Sequence, residues 1–169
     1  LRFLKDEGCV LGQKDDEGQT PAICATYEIC YEGCLRVLHE AGCDLDEPDN
    51  EGNTPAHFAA RNSDEKCLKL LKEFGCDLGK AKNDGKTPAH MAVWYVPDER
   101  IVRFLHQAGC GLEKTDEYGN TPAHYAADPL CIFPNMKEIL KCLRFLQKAG
   151  CNLKLKNNEG KTPADLASK

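Results

Sequence analysis

The chain contains no run of eighteen apolar residues, so no helical membrane span is expected. It also lacks a clustered Lys/Arg face. Its 22 basic residues are outnumbered by 27 acidic ones, for a net charge of −5 at pH 7, and nucleic acid is not an expected partner. No Gly-rich phosphate loop, nucleophile elbow or paired-carboxylate arrangement occurs, so no catalytic residue or cofactor is nominated and no enzyme is expected here. Neither an initiator Met nor a secretory leader pattern opens the chain at Leu1, and the reading is that it is a fragment of a longer protein.

Cysteine, by contrast, is abundant, with 11 in 169 residues. A disulfide framework is not expected from them. Their number is odd, the chain has ample Leu, Ala and Phe for an ordinary core, and the cysteines recur at locked positions in a repeat. A reducing, intracellular compartment is the expectation.

The repeat is plain once sought. Thr-Pro falls at Thr20, Thr54, Thr87, Thr121 and Thr162, and Gly-Cys ends at Cys9, Cys43, Cys76, Cys110 and Cys151. Each of these cysteines lies 11 residues before the next Thr. The way back from Thr to Cys takes 23, 22, 23 and then 30 residues, so the last unit carries an insertion of about seven or eight. Within a unit, Thr caps a short helix with Pro at its first position. A second helix follows with apolar residues at helical spacing, as in Cys67, Leu68, Leu70, Leu71 and Phe74, and Gly75 closes it. The connector has the residues of a projecting hairpin, with Gly85 placed for positive φ.

The sequence "TPAH" at Thr54, Thr87 and Thr121, in a unit of about 33 residues, resembles the ankyrin repeat signature T-P-L-H-x-A, with Ala for Leu at Ala56, Ala89 and Ala123. The resemblance covers nearly the whole chain. It implies an all-α solenoid of stacked helix-turn-helix units with projecting β-hairpin loops. The units are a partial repeat at 1–14, repeats at about 15–48, 49–81, 82–115 and 116–156, and a partial repeat at 157–169. The "His" position is Ile23 in the first unit and Asp165 in the last.

His57, His90 and His124 invite a metal reading. The resemblance instead implies a ring bonded to backbone in the adjoining loops, and repeats about 10 Å apart keep the rings from converging on one ion. Ladder cysteines at that spacing are too far apart to bond and read as small buried hydrophobes. A local group of Cys24, Cys30 and Cys34 with His39 fits no zinc spacing, and no metal is assigned, although a redox or metal sensor built on it is one rival reading.

The resemblance places partner contacts at the hairpin tips and on the inner face of the first helices, where the stack leaves residues free to vary. The inner pairs are Tyr27-Glu28, Arg61-Asn62, Trp94-Tyr95 and Asp128-Pro129, with Tyr118 at a neighbouring tip. Tyr, Trp and Arg favour binding hot spots. Trp94, the single tryptophan, either anchors a partner or covers the apolar insertion, which carries Leu130, Cys131, Ile132, Phe133 and Met136; the insertion, Phe133 included, is itself a third candidate contact. Charge runs from 4 basic against 13 acidic residues in 1–53, through 10 and 10 in 54–120, to 8 against 4 in 121–169. Such a gradient either orients a partner or reflects ordinary surface solvation. The expected function is a monomeric protein–protein interaction module that binds a protein or peptide. A structural spacer or regulatory domain of a larger protein is the other alternative.

Overall fold

The computed structural model describes residues 11–28, 30–128 and 135–167. Every regular element among them is a helix: α1 (Pro21–Cys24), α2 (Glu32–Glu40), α3 (Pro55–Arg61), α4 (Glu65–Glu73), α5 (Pro88–Trp94), α6 (Glu99–Gln107), α7 (Pro122–Ala127), α8 (Met136–Lys148) and α9 (Pro163–Leu166). Odd-numbered helices form one layer, in which α3 packs on α5, α5 on α7 and α7 on α9. The even-numbered helices back them as a second layer.

Each inner helix starts where Thr-Pro dictates. Thr54, Thr87 and Thr121 are N-caps in extended conformation with Pro at the first helical position, where its missing N–H costs nothing. The His three residues on replaces the usual Glu of a capping box. The Thr54 N–H donates to Nδ1 of His57 at 3.0 Å, and Nε2–H of the same ring donates to the carbonyl of Lys86 at 3.2 Å. His90 joins Thr87 to the Asn120 carbonyl in the same way, and His124 joins Thr121 to that of Lys161, both at 3.1 Å on the far side. Each ring therefore caps its own helix and staples it to the next repeat. At the ends the device changes. Asp165 still accepts from the Thr162 N–H at 2.8 Å but has no second nitrogen to reach onward, and Ile23 simply fills buried space.

Small residues let the inner helices approach closely: Ala56, Ala59, Ala60, Ala89, Ala92, Ala123 and Ala126 are all buried. The outer helices fill the remaining core with Leu35, Leu38, Leu68, Leu71, Ile101, Leu105, Cys142 and Leu146. Three of them, α4, α6 and α8, are capped by Asp64, Asp98 and Asn135, each of which accepts a backbone N–H from the first turn. The α8 helix has 13 residues against 9 in each other outer helix. Its end keeps the usual distance to the Gly-Cys, so four residues of the insertion extend α8 at its start. Residues 129–134 lie outside the described residues.

The projecting hairpin loops are present as turns and contain no strand among the described residues. Each tip is a tight turn. In one, Asp49 N–H donates to the Asn53 carbonyl at 2.9 Å, and the Asp49 carboxylate accepts from the Glu51 and Asn53 N–H groups. Neighbouring tips are tied by single backbone bonds, such as Asn83 N–H to Glu51 O at 3.1 Å and Glu117 N–H to Asp84 O at 2.9 Å. One backbone bond per step, with an Asn side chain also donating across several of them, makes a ribbon of turns and is too little for a strand ladder.

Gly85 sits at such a step with φ +83°, and a Cβ there would lie 2.9 Å from Cα of Asp116. The left-handed conformation and the backbone clash both oppose a side chain. Gly85→Ala is expected to lower stability by about 2 kcal/mol or more, read as the midpoint of denaturant unfolding. An unchanged midpoint would mean that the tips do not hold the repeats together.

Candidate functional site

The inner helices and the tips enclose a concave groove of about 560 Å³ across the first three levels. Its floor is Tyr27, Phe58, Arg61, Met91 and Tyr95, and its rim carries Asp16, Glu17, Asp49 and Glu51. Phe58 and Met91 come from the fourth helical position of α3 and α5, and Arg61 from one turn later on α3. The guanidinium of Arg61 lies over three rings, 5.0 Å from the centre of Tyr27, 5.2 Å from Phe58 and 5.7 Å from Tyr95. Tyr27 and Phe58 themselves touch with centroids 5.1 Å apart. A cation flanked by aromatic faces is held in place before any ligand arrives.

A second group lies one level further on. Trp94 packs against Tyr125 with ring centroids 4.2 Å apart. The Tyr125 hydroxyl donates to the buried carboxylate of Asp116 at 2.5 Å, and burial together with that carboxylate pushes its phenol up. The ammonium of Lys86 lies 5.6 Å from the Tyr125 ring, 5.7 Å from the Tyr118 ring and 2.8 Å from the Asp84 carboxylate. That neighbourhood holds Asp84 below the usual carboxylate range, with burial opposing the bonds from Lys86.

The residues singled out from sequence thus separate. Tyr27, Arg61 and Tyr95 meet in the groove. Trp94 and Tyr118 belong to the second group, and Tyr118 is exposed at its tip. Asn62 does not present a free surface: its side-chain N–H₂ group donates to the carbonyl of Tyr27 at 2.8 Å, in the turn that follows α1. Glu28 is exposed in that same turn, and Asp128 is the half-buried C-cap of α7. Phe133 lies outside the described residues. Sequence reasoning missed Phe58, Met91 and Tyr125. Their signal was present, because the residue after "TPAH" changes at every level while its flanks stay constant.

The histidines are held by the stack. Burial pushes His57 and His90 down to about 4, and His124 down as well. All nine cysteines among the described residues are free. Burial pushes the Cys76 thiol up to about 12 and that of Cys110 to about 11. Cys30 is half-buried with its thiol also raised by burial, and it shares a hydrogen bond with the free Cys67 thiol of the next repeat. Among the described residues no group of three or more His, Cys, Asp or Glu side chains could hold a metal. Among them, too, no helix is long and apolar enough to cross a membrane.

Compared with known families, the chain matches the model described as ankyrin repeats (3 copies) over residues 27–116. A search of curated proteins finds no match.

Proposed function

The chain belongs to the ankyrin repeat family, whose members are generally protein–protein interaction modules and typically not enzymes, and from that premise we propose that its concave groove receives an extended segment of a protein partner. The observation that carries this reading is Arg61, immobilised over Tyr27, Phe58 and Tyr95 at the floor of an open groove. A side chain already fixed loses little entropy on binding, and Arg and Tyr are the residue types on which interface energy concentrates. The acidic rim sets the orientation of the bound segment. Trp94, Tyr118 and Asp128 extend the contact toward the last repeats, with Phe133 of the insertion and Glu28 and Asn62 at its margins.

We further propose four full repeats at about 15–48, 49–81, 82–115 and 116–156, with partial repeats at 1–14 and 157–169. We also propose that the protein works as a monomer in a reducing compartment, the latter because its cysteines recur at repeat-locked positions rather than in a framework of their own.

Affinity capture with identification of the bound protein tests the function, followed by titration of that protein against the chain and its Arg61→Ala/Tyr95→Ala variant. The variant is expected to bind about 30-fold more weakly, equivalent to about 2 kcal/mol, while keeping its helical circular dichroism. Equal affinity in both would remove the groove from the contact, and absence of any partner would favour a structural spacer.

A further inference from the structure

A second recess of about 530 Å³ lies between the outer helices α6 and α8, lined by residues that take no part in the concave groove. Its base is the ring of Phe145, with the Arg103 guanidinium 4.6 Å above it and His106 edge-on at 5.9 Å. Lys141, Arg144 and Lys148 follow along the other bank, spaced three and four residues apart on α8, so they share one helical face.

Two of these cations are already neutralised within the chain. Arg103 pairs with Glu99, and Lys141 pairs with Glu138 at 2.7 Å. Arg144 and Lys148 are not. Both are exposed, and among the described residues no carboxylate lies within ion-pair distance of either. They stand one helical turn apart, about 6 Å along the axis, beside His106. The α8 bank of the recess belongs to the part of the chain where basic residues outnumber acidic ones, 8 to 4 over residues 121–169, while α6 comes from the balanced middle and contributes Glu99 to the lining.

We propose that this recess docks an acidic segment of a protein partner, with two carboxylates about one helical turn apart meeting Arg144 and Lys148. The arrangement of charge selects this occupant. The two unpaired cations are strung along a helix and matched to separate anions, whereas a single phosphate calls for donors gathered round one point. A flat lipid surface or a nucleic acid would need a broad cationic face, and the chain as a whole is acidic. A short segment needs only the recess itself, since charges beyond about 8 Å are largely screened at physiological salt.

The test uses a fluorescein-labelled twelve-residue peptide with Glu at every third or fourth position, read by anisotropy. An all-Gln counterpart, phosphatidylserine vesicles and a single-stranded oligonucleotide serve as competitors. Arg144→Glu/Lys148→Glu is compared with Lys154→Glu/Lys156→Glu, which makes the same change in net charge at exposed positions outside the recess. The expected result is saturable binding of the Glu peptide, weakened at least tenfold by the first variant and less than threefold by the second. Equal losses, no saturable binding, or tighter binding of vesicles or oligonucleotide would overturn the proposal. Sedimentation velocity of the chain alone supplies a further check, since association abolished by the first variant would make the occupant a second copy and likewise overturn it. Should the reversal prevent folding, Arg144→Gln/Lys148→Gln keeps the comparison, with a smaller expected loss.

Discussion

Between pH 6.5 and pH 4 the array is expected to lose much of its stability as buried histidines take up protons. His57 and His90 are held down to about 4 from an ordinary value of 6.5, chiefly by burial. In the folded state Nδ1 accepts from a Thr N–H and Nε2–H donates to the next repeat, so the neutral ring fits and the protonated one does not. The unfolded chain binds these protons from about pH 6.5 downward, and the folded chain binds them only near pH 4. Stability is therefore fully present above 6.5 and falls as pH drops toward 4. Linkage gives a loss of about 2 kcal/mol per histidine at about pH 5, or roughly 4 kcal/mol for the two. Urea unfolding at a series of pH values reads this directly. His90→Gln is expected to flatten the slope by about one proton. Stability unchanged from pH 7 to pH 5 would show that the rings are protonated in the folded chain. Asp84 and Asp98, whose carboxyls are held low, act in a different window: their stabilisation is present above the ordinary carboxylate value and disappears in stronger acid.

Leu105→Ala is expected to cost about 3 kcal/mol and to divide the unfolding transition. Leu105 is fully buried in α6, a helix that packs against α4, α5 and α8. Removing its three outer carbons leaves a cavity that rigid neighbours cannot close. In a stacked array each repeat depends on its neighbours, so a weakened third repeat interrupts cooperation between the two ends. Differential scanning calorimetry should show a broadened or double transition. Leu38→Ala in α2, near the start of the described array, should lower the midpoint of the early repeats and leave the later ones coupled. A single sharp transition in Leu105→Ala would mean that the interfaces between repeats contribute little to stability.

The repeat phase, the helix starts and the glycine turns were all legible in the sequence because each depends on a few adjacent residues. Thr-Pro opens a helix wherever it stands, and Gly52 and Gly85 take positive φ in the same turn at consecutive levels. The roles of variable residues were less accessible. Trp94 and Tyr95 are neighbours in sequence, yet they enter different groups, because successive helical residues point about 100° apart. Asn62 looked like a presented surface beside Arg61 but ties down the turn that follows α1.

What the sequence alone determined is therefore the unit: its length, its two helices and its family. Which variable residues meet was decided by the stacking. Arg61 reaches Tyr27 and Tyr95, each 34 residues away, and Trp94 reaches Tyr125, 31 residues on. The cationic recess likewise exists only because α6 and α8 pack side by side. Local chemistry sets each helix, but the offset and rotation between repeats set which side chains share a surface, and those follow from packing along the whole array.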